Sequence, residues 1–240
     1  MKTNDVQFAP LGDHAVAITL GDSIDEATHR RVRAVSSALD TRDWHGLECI
    51  VDQVPAFASV VVHYDPARVG GDPDAPPYAR LVTALRGLLA TVKDDELPTP
   101  RTKEIPVCYG GEFGPDLEDV ARQHAISSSE IVTLHTGGDY LVYMVGFMPG
   151  FAYLGGLADE LVTPRRSSPR TAVPAGTVGI GGQQTGVYPL VSPGGWNLIG
   201  RTPLRIFDVA REEPALLATG DRVRFYAISL AEYTAWPTAS

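Results

Sequence analysis

Residues 177–191 read TVGIGGQQTGVYPLV. Two short apolar runs, VGIGG and GVYPLV, are strand candidates set off by glycine and proline. YLVYMVGF (140–147), LRIFDV (204–209) and RVRFYAI (222–228) have the same character. Many short strands with Gly/Pro-rich connections predict a closed or nearly closed β-barrel. Upstream, KEIPVCYG (103–110) reads as a further strand. GPDLEDVARQHA (114–125) reads as a helix that turns Leu117, Val120 and Ala121 inward. SSSEIVTLHTGG (127–138) reads as another. Ser127 with Glu130 three residues on forms a capping box, and Gly137 is its stop.

The first ninety or so residues have a different grammar. HAVAITL (14–20) is a strand, followed by a helix with Ile24, Ala27, Val32, Val35 and Leu39 on one side. Asp22 or Ser23 is expected to cap it. CIVDQVPAF and SVVVHYD are two more strands, and PPYARLVTALRGLLATV a second helix opened by prolines. Residues 94–104, DDELPTPRTKE, carry two prolines and no apolar period. They predict a linker. The expected organisation is an α+β N-terminal domain over 1–95 and a mainly-β domain over 102–240.

Composition narrows the function classes. Hydrophobic residues make up 44% of the 240, enough for packed cores. No apolar run approaches the ~18–20 residues of a membrane span. The opening MKTNDVQFAP lacks the apolar core of a signal peptide, so the expected compartment is the cytoplasm. Cys49 and Cys108 are too few for a disulfide scaffold and have no close-spaced partners for zinc, so no metal is expected. A net charge of −9 argues against nucleic acid as a partner.

That charge is unevenly spread. Residues 161–207 contain no Asp or Glu, but hold Arg165, Arg166, Arg170, Arg201 and Arg205. This is a local cationic field, open to two readings: anion binding, or pairing with carboxylates from elsewhere in the fold. Half of the 24 glycines fall within residues 146–200, interleaved with Gln183, Gln184, Thr185, Tyr188, Ser192, Trp196 and Asn197. In GFMPGFAYLGG (146–156) they alternate with Phe147, Phe151 and Tyr153. Such a frame can turn rings toward a concavity and present amides to a ligand, or the rings can close a barrel core.

GFMPGFAYLGGL, PRRSSPRTAVPAGTVGIGGQQTGVYP and SPGGWNLIGRTP resemble, in order and spacing, the family of the 5-oxoprolinase B subunit. That family is also called allophanate hydrolase subunit 1 and includes the kinase inhibitor KipI. LGDHAVAITLGDSID and VPAFASVVVHYDP resemble its amino-terminal domain, so the likeness covers nearly the whole chain. It implies a small α/β domain followed by a cyclophilin-like barrel. It also implies a homologous partner, the C subunit of the complex, and a third component. Together these would use ATP to open the lactam of 5-oxoproline, giving glutamate. The alternative within the family is a regulator that binds and inhibits a sensor histidine kinase. Prolyl isomerisation is suggested by the barrel type alone.

Lactam opening needs an activated amide and donors for developing negative charge. Arg170 and Arg201 are candidate clamps for a carboxylate or phosphate, or else structural ion pairs. His135 is a candidate general acid or base, or else a helix C-terminal residue favoured by the dipole. Gln183 and Gln184 could read a lactam. Phe147, Phe151, Tyr153, Tyr188 and Trp196 could wall the substrate, and Tyr188 and Trp196 could equally anchor a partner. There is no GxxxxGK[ST] loop, and none of the three lysines lies near a glycine loop. ATP would be held by arginines and backbone amides, or at another subunit. GxSxG is absent, which argues against a covalent serine mechanism.

Overall fold

In the computed structural model, residues 6–40, 47–92, 97 and 99–237 are described. His45 and residues 94–96 and 98 of the expected linker lie outside them. The chain divides into two compact units, Met1–Thr99 and Pro100–Ser240.

The first unit contains β1 (Gln7–Pro10), β2 (Ala15–Thr19), α1 (Glu26–Asp40), β3 (Ile50–Pro55), β4 (Ser59–Tyr64) and α2 (Pro77–Thr91). Its four strands form an antiparallel sheet in the order β1-β2-β4-β3. Alternation sends Val16, Ile18, Val60 and Val62 to one face, where they pack with Val32, Val35, Leu81, Leu85 and Leu88 of the helices. The expected cap of α1 is corrected. The helix begins later, and the Asp25 carboxylate accepts from the Thr28 amide at 2.8 Å. Ser23 serves it indirectly, donating its hydroxyl to Asp25. Strand β1 was not foreseen, because four residues with a single partly buried phenylalanine carry almost no period.

The second unit contains β5 (Thr102–Tyr109), α3 (Leu117–His124), α4 (Ser128–Thr136), β6 (Tyr140–Val145), β7 (Ala152–Gly155), β8 (Arg170–Val173), β9 (Thr177–Gly181), β10 (Gln184–Val187), β11 (Ser192–Gly194), β12 (Asn197–Arg201), β13 (Arg222–Ala227) and α5 (Leu230–Thr234). Seven strands close a barrel in the order β10-β7-β6-β13-β5-β12-β9, and β8 and β11 form a separate ribbon. Val107, Val142, Leu154, Val178, Ile180, Val187, Ile199 and Phe225 fill the interior together with Leu117, Val120 and Ile131 of α3 and α4. The Ser127–Glu130 capping box is present as expected. LRIFDV is not a strand, however. Proline precedes it, and Asp208 accepts from the Ala210 amide in a tight turn, so only Phe207 bridges, to Ala215. No helix among the described residues is long and apolar enough to cross a membrane.

The connection from β5 to α3 lies directly on β12. The Gly110 amide donates to the Ile199 carbonyl at 3.0 Å, and the Asp116 amide to the Leu198 carbonyl at 2.9 Å. Such an approach tolerates no side chain at Gly114, where a Cβ would overlap the Ile199 carbonyl. Gly114→Ala is expected to cost about 3 kcal/mol, because backbone stands on both sides of the clash. Urea unfolding of the two proteins measures it; a loss under about 0.5 kcal/mol would mean that the loop does not dock this way.

Candidate functional site

Inward and outward positions on β9 and β10 explain the glycines. Val178, Ile180, Thr185 and Val187 point into the barrel, so Gly179, Gly181 and Gly186 face out. On that bare outer wall lies Trp196. A Cβ at Gly181 would sit 2.6 Å from the indole, one at Gly179 3.2 Å from the Trp196 side chain, and one at Gly186 3.2 Å. Phe151 packs edge-on against Trp196 at 5.5 Å, against Tyr188 at 5.3 Å and against Tyr153 at 4.9 Å. Val173 of β8 and Leu198 complete the cluster. Phe151, Tyr188 and Trp196 are buried and Tyr153 is partly buried. The rings thus form a second small core on the outside of the barrel, at the foot of the β8–β11 ribbon.

The expected site residues divide around this wall. Gln184 lies opposite Gly181 in the β9–β10 register, on the outward face, half-buried. Gln183 is exposed at the hairpin tip after Gly182, whose φ of +64° suits the first position of a type II′ turn. Among the described residues neither side-chain amide has a hydrogen-bond partner. Phe147 is 64% exposed, with φ +70°, an uncommon conformation for a bulky residue, and rests edge-on against Phe151 at 5.7 Å. Leu190 and Val191, also exposed, lie in the loop at the same barrel end, because the end of β10 runs beside the start of β7.

The arginines meet two different fates. Arg166 Nη1 and Arg170 Nη2 both donate to Asp116 Oδ1, at 3.0 and 2.7 Å. Arg205 pairs with Asp208 at 2.9 Å. Arg165 and Arg201 have no carboxylate partner among the described residues. Arg165 stands 5.9 Å from the Trp196 ring, and Arg201 lies 5.0 Å over Phe113, which in turn packs on Tyr233 at 4.4 Å. Of the donors on these arginines, Arg170 Nη1 and Arg201 Nε are buried with no partner among the described residues. Burial raises the Tyr188 hydroxyl above its ordinary value, opposed first by a hydrogen bond from the Trp196 backbone and then by the charges of Arg165 and Arg170. Arg165 and Tyr153 both stand by the Trp196 ring, and Arg170 pairs in register with Gly194, which abuts the Tyr188 hydroxyl, so the five share one neighbourhood. Arg201 sits apart, against Phe113. Sequence reasoning did not single out Asp116 and Phe113. The signal was the run GGEFGPD (110–116), a glycine loop that also carries an acid and a ring.

His135 is elsewhere. It is fully buried inside the barrel, against Phe225 at 4.6 Å and Tyr140 at 5.4 Å. The Thr185 hydroxyl gives its proton to the Gly179 carbonyl at 3.0 Å. It must then accept from His135 Nε2, at 2.9 Å. Nδ1 is left to accept from the Tyr109 hydroxyl at 2.7 Å. The neutral ring satisfies every group in this chain, and burial lowers its pKa to about 3. With both nitrogens engaged and no exposed surface, the imidazole braces the inner side of the strand that carries Gln184 outward. Among the described residues no group of three or more His, Cys, Asp or Glu could hold a metal ion.

The sequence matches the family described as carboxyltransferase domain, subdomain C and D, over residues 6–217. It is 44% identical over 238 residues to the 5-oxoprolinase B subunit of Bacillus subtilis (strain 168), covering 98% of both chains. The chain belongs to the 5-oxoprolinase B-subunit family. Its counterpart in Escherichia coli O157:H7 is 41% identical over 217 residues, or 90% of this chain and 93% of that one. Among solved structures, TTHA0988 superposes with a TM-score of 0.75 at 37% identity. The match covers 90% of this chain and spans 40% of that longer one.

The buried histidine yields a pH dependence. Between about pH 3 and pH 6.5 the unfolded chain binds a proton at His135 that the folded chain refuses. Its contribution is complete above pH 6.5 and is lost as the pH falls, at about 1.4 kcal/mol per unit. In urea titrations from pH 7.5 to 5, His135→Asn, although less stable throughout, should lose less stability than the parent below pH 6.5, by about 1.4 kcal/mol per unit. Equal slopes in the two proteins would place the imidazole in contact with water.

Proposed function

We propose that this chain is one component of an ATP-dependent 5-oxoprolinase-type complex and that its outer barrel wall binds the lactam substrate. The observation that carries the reading is the surplus of guanidinium charge at the Trp196 wall. Arg170 keeps one buried donor without a partner, and Arg165 has no carboxylate among the described residues. A small anion with an apolar ring answers both features. In 5-oxoproline the carboxylate would accept from Arg170, and the ring methylenes would lie against the partly buried Tyr153, with the buried Tyr188 and Trp196 as the packing behind it. The unpartnered amide of Gln184 can both donate to and accept from the lactam. Gln183 at the hairpin tip and Phe147 at the opposite end of β10 would border the site from its two ends. Arg201, apart on Phe113, is given no part in this substrate site.

The chain has no phosphate-binding loop pattern, so we place the nucleotide on another component of the complex. The exposed apolar residues Phe147, Leu190 and Val191 at one barrel end suit coverage by the homologous C subunit. The Bacillus and Escherichia relatives are each named as one lettered component of 5-oxoprolinase, which supports an assembly of several chains.

The test is co-purification with the adjacent gene products, followed by glutamate release from 5-oxoproline and ATP. The complex is expected to turn over and the lone chain to do so hardly at all. Normal turnover by the lone chain would remove the assignment to a complex. No release by any assembly, together with block of a histidine kinase, would favour the inhibitor reading. In the active complex Arg170→Gln is expected to raise KM for 5-oxoproline about 10- to 100-fold, the loss of one charged hydrogen bond.

A further inference from the structure

Asp116 is buried, with 2% of its surface exposed, and sits at the start of α3 without capping that helix. Its two oxygens are divided. Oδ1 accepts from both Arg166 and Arg170, at 3.0 and 2.7 Å. Oδ2 accepts from the Leu198 amide at 2.7 Å, and the Asp116 amide returns a bond to the Leu198 carbonyl at 2.9 Å. One carboxylate thus ties two arginines of the ribbon region to the backbone of β12, between Trp196 and Ile199.

Charge and geometry both follow from this arrangement. Two guanidinium groups against one carboxylate leave a charge of +1, before Arg165 is added. A carboxylate placed to neutralise Arg170 would use both of its forked donors, yet here it takes only Nη2. The second oxygen is spent on Leu198, and Nη1 stays buried with no partner among the described residues. A flexible cation would fold back to satisfy that donor. Arg170 is prevented from doing so because its other end is held by a group that is itself fixed twice to the barrel.

We propose that Asp116 is a positioning residue, holding Arg170 against β12 so that Nη1 is presented to the carboxylate of the substrate. The inference rests on the substrate site proposed above and adds to it the residue that aims the clamp. Arg166 shares the same oxygen and keeps the carboxylate from being neutralised wholly by Arg170.

A double-mutant cycle in the reconstituted complex tests this, with KM and kcat for 5-oxoproline measured in wild type, Arg170→Gln, Asp116→Asn and the double variant. If Asp116 works through Arg170, Asp116→Asn raises KM about 10-fold and changes kcat by less than about 3-fold. The double variant then binds no more than about 3-fold worse than Arg170→Gln alone. A purely structural carboxylate gives KM effects that multiply, or a lowered kcat and melting temperature with KM unchanged. Either result overturns the proposal. If Arg170→Gln raises KM but Asp116→Asn does not, the positioning role fails and the substrate site stands. If Arg170→Gln itself leaves KM unchanged, both fail. Should Asp116→Asn not fold, Asp116→Ser serves in the same cycle with the same criteria. Its hydroxyl can still accept from the Leu198 amide, and serine is well tolerated at a helix start.

Discussion

An indole can lie flat on the outer wall of a barrel only where the strands beneath it carry no side chains. β9 and β10 meet this condition by alternation. Valine, isoleucine and threonine face inward, and Gly179, Gly181 and Gly186 face outward. The two faces of one hairpin therefore serve two cores. Trp196 rests on the outward one, and Phe151, Tyr153 and Tyr188 close round it with edge-to-face contacts of 4.9 to 6.0 Å. The β8–β11 ribbon needs this aromatic platform, since Val173 and the close approach of Gly194 to the Tyr188 hydroxyl are its packing contacts with it.

The polar arrangement is set against that platform. The loop from β5 to α3 lies on β12 because Gly114 has no Cβ, and this brings Asp116 to Leu198, two residues from the indole. Phe113, in the same loop, receives Arg201. One short segment thus collects cations from two distant parts of the acid-free stretch. It neutralises them incompletely, which leaves donors for something else. His135 works on the opposite side of the wall. It braces Thr185 and Tyr109 from inside; burial keeps it neutral, and the direction of the Thr185 proton fixes its tautomer with the hydrogen on Nε2.

Much of this was legible in the residues. The capping box at Ser127 and Glu130 is a local contract between side chains and amides three residues apart, and it is honoured. Glycine- and proline-punctuated apolar runs marked the barrel, because strand period and turn chemistry are written over five to ten residues. Where a local rule had a near competitor, the reading slipped. Asp25 rather than Asp22 or Ser23 caps α1, since its carboxylate is the one that reaches the Thr28 amide. LRIFDV has the composition of a strand but no partner beyond one bridge.

The sequence by itself determined that a β-rich, glycine-laden, cationic second half follows an α+β first half, and its motifs resemble the 5-oxoprolinase B-subunit family. Those properties depend on composition, short period and motif order, which need no contact between distant residues. Tertiary structure alone decided which face of each strand the glycines occupy, that His135 turns inward, and that Asp116 meets arginines 50 and 54 residues away. The physical reason is that burial and pairing of charge are set by long-range register. A shift of one residue along β9 would have put the glycines inside and left Trp196 without a floor.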